Sequence, residues 1–295
     1  MAKTAYFGIL LLSFMFPLEF VVEPYLQNAT PNSIHILWET DSNSDSKVEW
    51  GTTTSLGEVT DGNSFTNAGS SQIHTVLIDG LNPDTRYYYR AITSSLNSEI
   101  YDFITPPDPM SESSFKIVAM SDMQKDWSHY DKFAEIVHEG IIGYLSDEYS
   151  DDIPEELQMV LVPGDLVDTG SNYSHWTDHF FAPSAPLFAH VPVYPVLGNH
   201  EANTNYYFNY FNLPENGTFG YMEHWWFVDY SNLRVIGLDS NPSYQLDVQL
   251  SWLENVLADA CQNPYVDFVF AQLHHPYKSE LWLAGETDYT GEVIS

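Results

Sequence analysis

The sequence predicts two domains of different class, an all-β sandwich over residues 22–107 and an α/β domain over residues 114–295. Three observations carry this. The first hundred or so residues alternate apolar and polar side chains, and turn residues interrupt them roughly every ten positions, the pattern of short half-buried strands. The stretch 105–114, Thr-Pro-Pro-Asp-Pro-Met-Ser-Glu-Ser-Ser, then breaks the alternation as a linker does. Beyond it, continuous apolar runs alternate with segments of helical period, which is how strands covered by helices read. A chain of 295 residues, 44% of them hydrophobic, can fill two cores at roughly 150 residues per domain.

Taken in order, the elements are these. Lys3 precedes an apolar run from Ala5 to Phe16. Such a run is too short to span a bilayer and matches the centre of a secretory leader. Residues 1–20 are therefore expected to be a signal peptide and the protein secreted or periplasmic, with no transmembrane span. In the sandwich, Ile34, Ile36 and Trp38 alternate with His35, Leu37 and Glu39, and Val48 and Trp50 continue the period to Gly51. A strand ends at Asp79-Gly80, Pro83 turns the chain, and a tyrosine-rich strand follows to Ala91. A tyrosine there can bond back to the turn backbone, a tyrosine corner. His35 and His74 fall within strands and read as structural. The stretch resembles a fibronectin type III-like domain.

In the second domain, residues 115–120 are expected to form a buried strand. Ser128 is expected to cap a helix over 129–146 whose inner face carries Phe133, Ile136, Val137, Ile141 and Tyr144. Strands follow at 159–162, 191–197, 233–238 and 266–273. A helix over 248–260 turns Trp252, Leu253, Val256 and Leu257 inward. Cys261, the single cysteine, excludes an intrachain disulfide and reads as a small buried hydrophobe. The aromatic residues Trp127, Tyr221, Trp225, Trp226 and Phe227 read as packing rather than a substrate platform. His175 and His179, four apart, lack the further donors a metal pair needs. Asn28, Asn172 and Asn216 begin glycosylation sequons.

Charge narrows the function. There are 41 acidic and 9 basic residues, a net charge of −32. So few cations cannot neutralise a run of phosphates, which excludes nucleic-acid binding through a basic face. An acidic surface attracts metal cations.

The polar residues that could carry chemistry sit where apolar strands end. Ile117-Val-Ala-Met-Ser-Asp122 ends in a carboxylate, and Val160-Leu-Val-Pro-Gly-Asp165 in another. A third strand runs into Gly198-Asn199-His200-Glu201, a fourth into His274-His275-Pro276. Strand ends in open α/β sheets converge on one crevice. Asp122, Asp165, Asn199 and His274 are thus expected to meet there, and such oxygen and imidazole donors suit two divalent or trivalent cations, with Asp165 bridging. Clustered buried carboxylates are costly without a cation.

The motifs Ser121-Asp-Met-Gln124, Gly164-Asp-Leu-Val-Asp168, Gly198-Asn-His-Glu201 and Leu273-His-His-Pro276 resemble those of the calcineurin-like metallophosphoesterase superfamily, an α/β/β/α four-layer fold. The sandwich, opening at Glu23-Pro-Tyr-Leu-Gln27, looks like the one that precedes the catalytic domain of purple acid phosphatases. The resemblance implies metal ligation by Asp122, Asp165, Asn199 and His274. It implies iron, manganese or zinc as the metals, a metal-bound hydroxide as nucleophile, and His200 near the leaving group as general acid. Gln124 stands where many members have histidine and is a candidate weaker ligand. Asp168 stands where purple acid phosphatases place a tyrosine, so a ferric tyrosinate is not expected. The family's final Gly-His-x-His motif is absent, and the sequence stops about twenty residues after His274; the phosphoesterase domain is expected to be C-terminally truncated. Glu201 is expected to cap the segment after it rather than to orient His200, and His275 to face substrate or solvent. The expected activity is acid-phosphatase-like hydrolysis of small phosphomonoesters. The alternatives are a nucleotide phosphodiesterase and an exported binding or adhesion protein whose phosphoesterase-like domain is inert.

Overall fold

The structure is a computed structural model that describes residues 17–42, 45–111, 113–278 and 288–294. The apolar run of the expected leader lies outside the described residues. Nine strands form the sandwich: β1 (Phe20–Thr30), β2 (Ser33–Thr40), β3 (Lys47–Gly51), β4 (Glu58–Asp61), β5 (Asn63–Thr66), β6 (Gln72–Asp79), β7 (Arg86–Thr93), β8 (Leu96–Asn97) and β9 (Tyr101–Ile104). One sheet has the order β1-β2-β6-β5 and the other β4-β3-β7-β8, with β9 also paired to β7. The alternating residues point into one core. Ile34, Ile36 and Trp38 of β2 and Val76 and Ile78 of β6 face Val48, Tyr87, Tyr89, Ala91 and Phe103, all buried. The Tyr87 hydroxyl accepts the Asn82 N–H at 2.9 Å, so the tyrosine corner is present. His74 is buried between the Ser46 and Thr40 hydroxyls and stacks on Trp38; burial pulls its pKa down to about 4.

Among the described residues, the second domain contains two three-stranded sheets. The first is β10 (Ile117–Ala119), β11 (Met159–Pro163) and β12 (Val193–Val196), all parallel. The second is β13 (Trp226–Tyr230), β14 (Leu233–Gly237) and β15 (Phe268–Gln272), with β13 and β14 antiparallel and β14 and β15 parallel. The strand at β10 is not buried. It pairs with β11 alone and lies at the sheet edge, so Ile117 and Val118 are half-exposed and Ala119 exposed.

Helices connect the strands. The expected long helix is α1 (Lys132–Glu135), a π-helical stretch Ile136–Gly143, and α2 (Tyr144–Glu148). It starts later than expected because the Asp126 carboxylate captures the Ser128 N–H and hydroxyl, leaving Ser128 in a turn and not at a cap. The wider π-helical winding also rotates the buried face. Phe133, Val137, Ile141 and Leu145, each four residues on, are buried, whereas Ile136 and Tyr144 are exposed. Next come α3 (Ile153–Glu156), a π-helical stretch His175–Phe181 that runs into α4 (Ala182–Phe188), α5 (Asn205–Tyr210), α6 (Asp247–Gln262) and α7 (Asp288–Ile294). On α6, Leu253 and Val256 are buried but Leu257 is exposed. Cys261 is exposed too. It follows buried Ala260 by one residue, and about 100° of helical turn carries it outward.

The sandwich is fastened to the α/β domain by polar groups. Tyr25 donates to the Tyr210 carbonyl at 2.6 Å, the Gln27 amide to the Val193 carbonyl at 3.2 Å, and Tyr89 to the Ala189 carbonyl at 2.8 Å. The Glu39 carboxylate, fully buried, accepts from Tyr173, Tyr210 and Asn67. Val22, Tyr25, Leu37 and Ile73 of the sandwich join the larger core. Polar groups buried at such an interface must each find a partner, because an unpaired one costs about 1–3 kcal/mol.

Candidate metal centre

The C-terminal ends of β10, β11 and β12 and the end of β15 open onto one cleft of about 460 Å³, lined by Asp122, Gln124, Asp165, Asn199, His200, His274 and Pro276. Asp122 and Asp165 both adopt left-handed backbone, with φ of 58° and 54°, a conformation that costs a non-glycine residue about 1–3 kcal/mol and clusters at functional sites. Their two loops are laced together, since the N–H of Asp122 donates to the Gly164 carbonyl and that of Met123 to the Asp165 carbonyl. Two glycines make the approach possible. A Cβ on Gly164, whose φ is +82°, would lie 2.8 Å from His274 and from the Gly198 backbone. A Cβ on Gly198 would lie 2.2 Å from the Asp165 carboxylate.

One donor atom each from Asp122, Asp165 and His274 lies within 4.8 Å of the others. His274 donates its Nδ1 proton to the Pro163 carbonyl at 3.1 Å, which leaves Nε2 as a bare lone pair in the neutral ring. That Nε2 faces Asn199 Oδ1 at 3.0 Å and Asp165 Oδ1 at 3.4 Å. Among the described residues, no lysine or arginine lines the cleft. Acceptors gathered this way repel one another unless a cation or proton lies between them. The donor chemistry therefore fits a metal ion, and the carbonyl behind His274 is the kind of support that fixes the tautomer of a ligating imidazole.

Gln124 presents its Nε2 protons to Asp165 Oδ2 at 2.7 Å, so its amide nitrogen, not its oxygen, faces the carboxylate. His200 donates Nδ1–H to the Asp168 carbonyl at 2.7 Å, and its Nε2 stands 3.8 Å from Asp165 Oδ2. Burial pulls the His200 pKa down, but the Asp168 carbonyl and the charges of Asp165, Glu201 and Asp168 outweigh it, and the net shift is upward.

Glu201 does not cap the segment after it. Its side chain is fully buried and turns back beneath the loops. Oε2 accepts the N–H groups of Asp165 and Gly198, and Oε1 those of Leu166 and Val167, at 2.8–3.2 Å. Burial and the nearby Asp165 charge push its pKa up to about 7, against the bonds from Gly198, Val167 and Asp165. His275 does not line the cleft and does not face solvent; it is buried and bonded to the Ser240 hydroxyl at 2.8 Å. His175 and His179 stack at 4.7 Å, with the Asp168 carboxylate 4.0 Å from His175.

Trp127 is not packing. It is 63% exposed, because the Asp126 turn lifts it onto the surface edge-on to Tyr130, with the Lys125 ammonium over both rings. Lys125, Asp126 and Tyr130 border a second cavity, which shares Gln124 with the cleft. Trp225 and Trp226, by contrast, are fully buried.

Comparison with known proteins agrees with this architecture. A family model described as purple acid phosphatase, N-terminal domain, matches residues 22–105, and one described as calcineurin-like phosphoesterase matches residues 115–292. A curated relative from Arabidopsis thaliana, named probable inactive purple acid phosphatase 24, is 24% identical over 218 residues, 66% of this chain and 35% of the relative. The purple acid phosphatase PPD1 of yellow lupin (Lupinus luteus) seeds superposes with a TM-score of 0.64 at 18% identity, covering 86% of this chain and 51% of that one. PhoD superposes with a TM-score of 0.53 at 15% identity, over 75% of this chain and 52% of its own. The chain thus spans about a third of the curated relative and about half of each solved structure. With more than half of its residues matched by that one family model, the chain belongs to the calcineurin-like phosphoesterase family, and it carries ahead of that fold a domain of the purple acid phosphatase N-terminal type.

Proposed function

We propose that the chain hydrolyses small phosphomonoesters with a two-ion metal centre. The observation that carries this reading is the convergence of Asp122, Asp165, Asn199 Oδ1 and His274 Nε2 on one cleft with no lysine or arginine among its described lining residues. Asp122, Asn199 and His274 would hold the ions and Asp165 would bridge them, with iron, manganese or zinc suited to these donors. Bound there, the ions supply Lewis-acid activation of the phosphoryl oxygens and of water. Gln124 steadies Asp165 through its hydrogen bond and does not ligate. His200, anchored through Nδ1, turns Nε2 toward the cleft, where its protonated form delivers a proton to the departing alkoxide. The cleft has the size of a small-substrate site, and the cavity beyond Gln124 has room for the alcohol portion. The apolar run at residues 5–16 supports action outside the cytoplasm.

The Arabidopsis relative named probable inactive favours a second reading, an exported binding protein with an inert phosphoesterase-like domain. Turnover separates them. The Mn²⁺-loaded chain should cleave p-nitrophenyl phosphate faster than bis(p-nitrophenyl) phosphate; the reverse order would favour a diesterase, and no turnover of either would favour the inert reading. Asp165→Asn should abolish metal uptake and turnover together, and an Asp165→Asn protein that still takes up two equivalents would overturn the ligand assignment. His200→Ala should keep its metal and lose about 10²–10⁴-fold in kcat.

A further inference from the structure

We infer that Glu201 is the positioning residue of the metal centre: its carboxylate, buried under the floor of the cleft, holds the loop of Asp165 and the loop of Asn199 in the geometry that ligation needs. The inference rests on the reading of Asp165 as a ligand and adds a residue that touches no ion.

The argument is geometric. Three successive N–H groups, those of Asp165, Leu166 and Val167, point inward on the Glu201 carboxylate, and the N–H of Gly198 joins them from the adjoining loop. Consecutive inward N–H groups form a concave anion seat. In many proteins a bound anion fills such a seat, but here the chain's own side chain does. Two consequences follow for Asp165. Its backbone is fixed in the left-handed region at φ 54°, against the local preference of a non-glycine residue. Its carboxylate is thereby turned away from Glu201 and up into the cleft, where the His200 N–H at 3.1 Å and the Gln124 amide at 2.7 Å meet it.

The tie also spans the two motifs. Glu201 lies two residues after Asn199, and its carboxylate bonds Gly198 on one side and residues 165–167 on the other. The Gly170 N–H closes the same junction by donating to the His200 carbonyl at 2.8 Å, and a Cβ on Gly170 would lie 2.3 Å from the Glu201 carbonyl. Asp165, Asn199 and His200 are therefore set relative to one another by one carboxylate.

The test is Glu201→Gln and Glu201→Ala in the full chain, with Glu39→Gln as the comparison. Glu39 is as deeply buried and accepts three side-chain donors, but it touches no residue of the cleft. Mn²⁺ affinity is read by calorimetry, and Co²⁺ is added as a spectroscopic probe of ligand geometry. A glutamine keeps one acceptor oxygen and turns an NH₂ toward the other pair of N–H groups. Glu201→Gln should weaken Mn²⁺ binding by about 10- to 100-fold, the usual effect of losing a group that orients a ligand. It should also change the visible spectrum of the Co²⁺-saturated protein. Glu201→Ala should weaken binding further, and Glu39→Gln should lower Tm with affinity and spectrum unchanged. An unchanged Co²⁺ spectrum together with an affinity within about 3-fold of wild type in Glu201→Gln would overturn the inference. A wild-type chain that takes up neither ion would instead overturn the ligand reading, and this inference with it. Should the Glu201 variants not fold, hydrogen exchange of the wild-type amides at 165, 166, 167 and 198 decides the matter: slow exchange of all four supports the tie, and exchange at the rate of open loops overturns it.

Discussion

The two halves of the molecule handle buried acid and left-handed backbone in opposite ways. In the sandwich, the positive-φ residues Asn28, Leu56, Asp84 and Ser94 sit outside the candidate centre, and buried Glu39 is satisfied by neutral hydroxyl and amide donors. In the phosphoesterase half, Ala202, Asn203, Glu223 and Ser231 are also positive-φ residues outside the cleft lining, but two others, Asp122 and Asp165, carry the carboxylates of the cleft. A second buried acid, Glu201, is folded beneath them. The sandwich is locally self-consistent, whereas the cleft holds several groups in arrangements that none would choose alone. Such local conflict is expected where a fold serves a site.

The largest test of this contrast compares two glycines. Gly69 in the sandwich has φ +59° and open space where a Cβ would stand, whereas Gly198 has the Asp165 carboxylate 2.2 Å away. Gly69→Ala should cost only about 1–2 kcal/mol, the left-handed penalty, and should leave Mn²⁺ uptake intact. Gly198→Ala should cost about 3 kcal/mol or more through overpacking and should abolish Mn²⁺ uptake, because Asp165 has to move. Urea unfolding and calorimetry read both quantities. Equal losses in the two variants would erase the distinction between the halves.

A smaller test uses pH. His74 titrates near 6.5 when unfolded and at about 4 when folded, because it is buried. Between those values the unfolded chain binds more protons, so the sandwich keeps full stability above pH 6.5 and loses it as the pH falls toward 4. Glu223, in the phosphoesterase half, runs the other way. Burial, helped by the charge of Glu215 and opposed by the Leu213 N–H, pushes its pKa up from 4.5 to about 7. Between those values the folded chain binds more protons, so stability falls as the pH rises from 4.5 to 7. Each swing is of order 1–3 kcal/mol. Urea unfolding across pH 4–8 should show His74→Gln flattening the acid slope and Glu223→Gln the neutral one. A Glu223→Gln variant no more stable than wild type at pH 7.5 would break the pairing.

The same contrast explains what the sequence could reveal. The sandwich strands, the tyrosine corner and the ends of the four site strands are all written in local pattern, so Asp122, Asp165, Asn199 and His274 could be found at the ends of apolar runs. The role of Glu201 is not local. It depends on a left-handed turn at Asp165 that brings N–H groups 34 to 36 residues away onto one carboxylate. His275 likewise depends on its bond to Ser240, 35 residues distant. The exposed Ile136 and Tyr144 were hidden for another reason: a period of 3.6 places them inward, and the π-helical winding does not keep that period. Inward N–H groups carry no sequence signal, since every non-proline residue has one.

The smallest effect belongs to the sandwich and is the cleanest control. Tyr87 is buried, and its hydroxyl is the acceptor for the Asn82 N–H at the turn before β7. Tyr87→Phe keeps the ring packed against Phe103 and Trp50 but leaves that N–H without its partner. The cost should be about 1 kcal/mol, a drop in Tm of about 2–4 °C for a chain of this size. Nothing in the corner touches the cleft, so Mn²⁺ affinity and the Co²⁺ spectrum should stay at wild-type values while Tm falls. A change in either would mean that the sandwich reaches the loops of the candidate centre through its interface with α5 and the 168–174 segment, and that the two halves are one coupled unit.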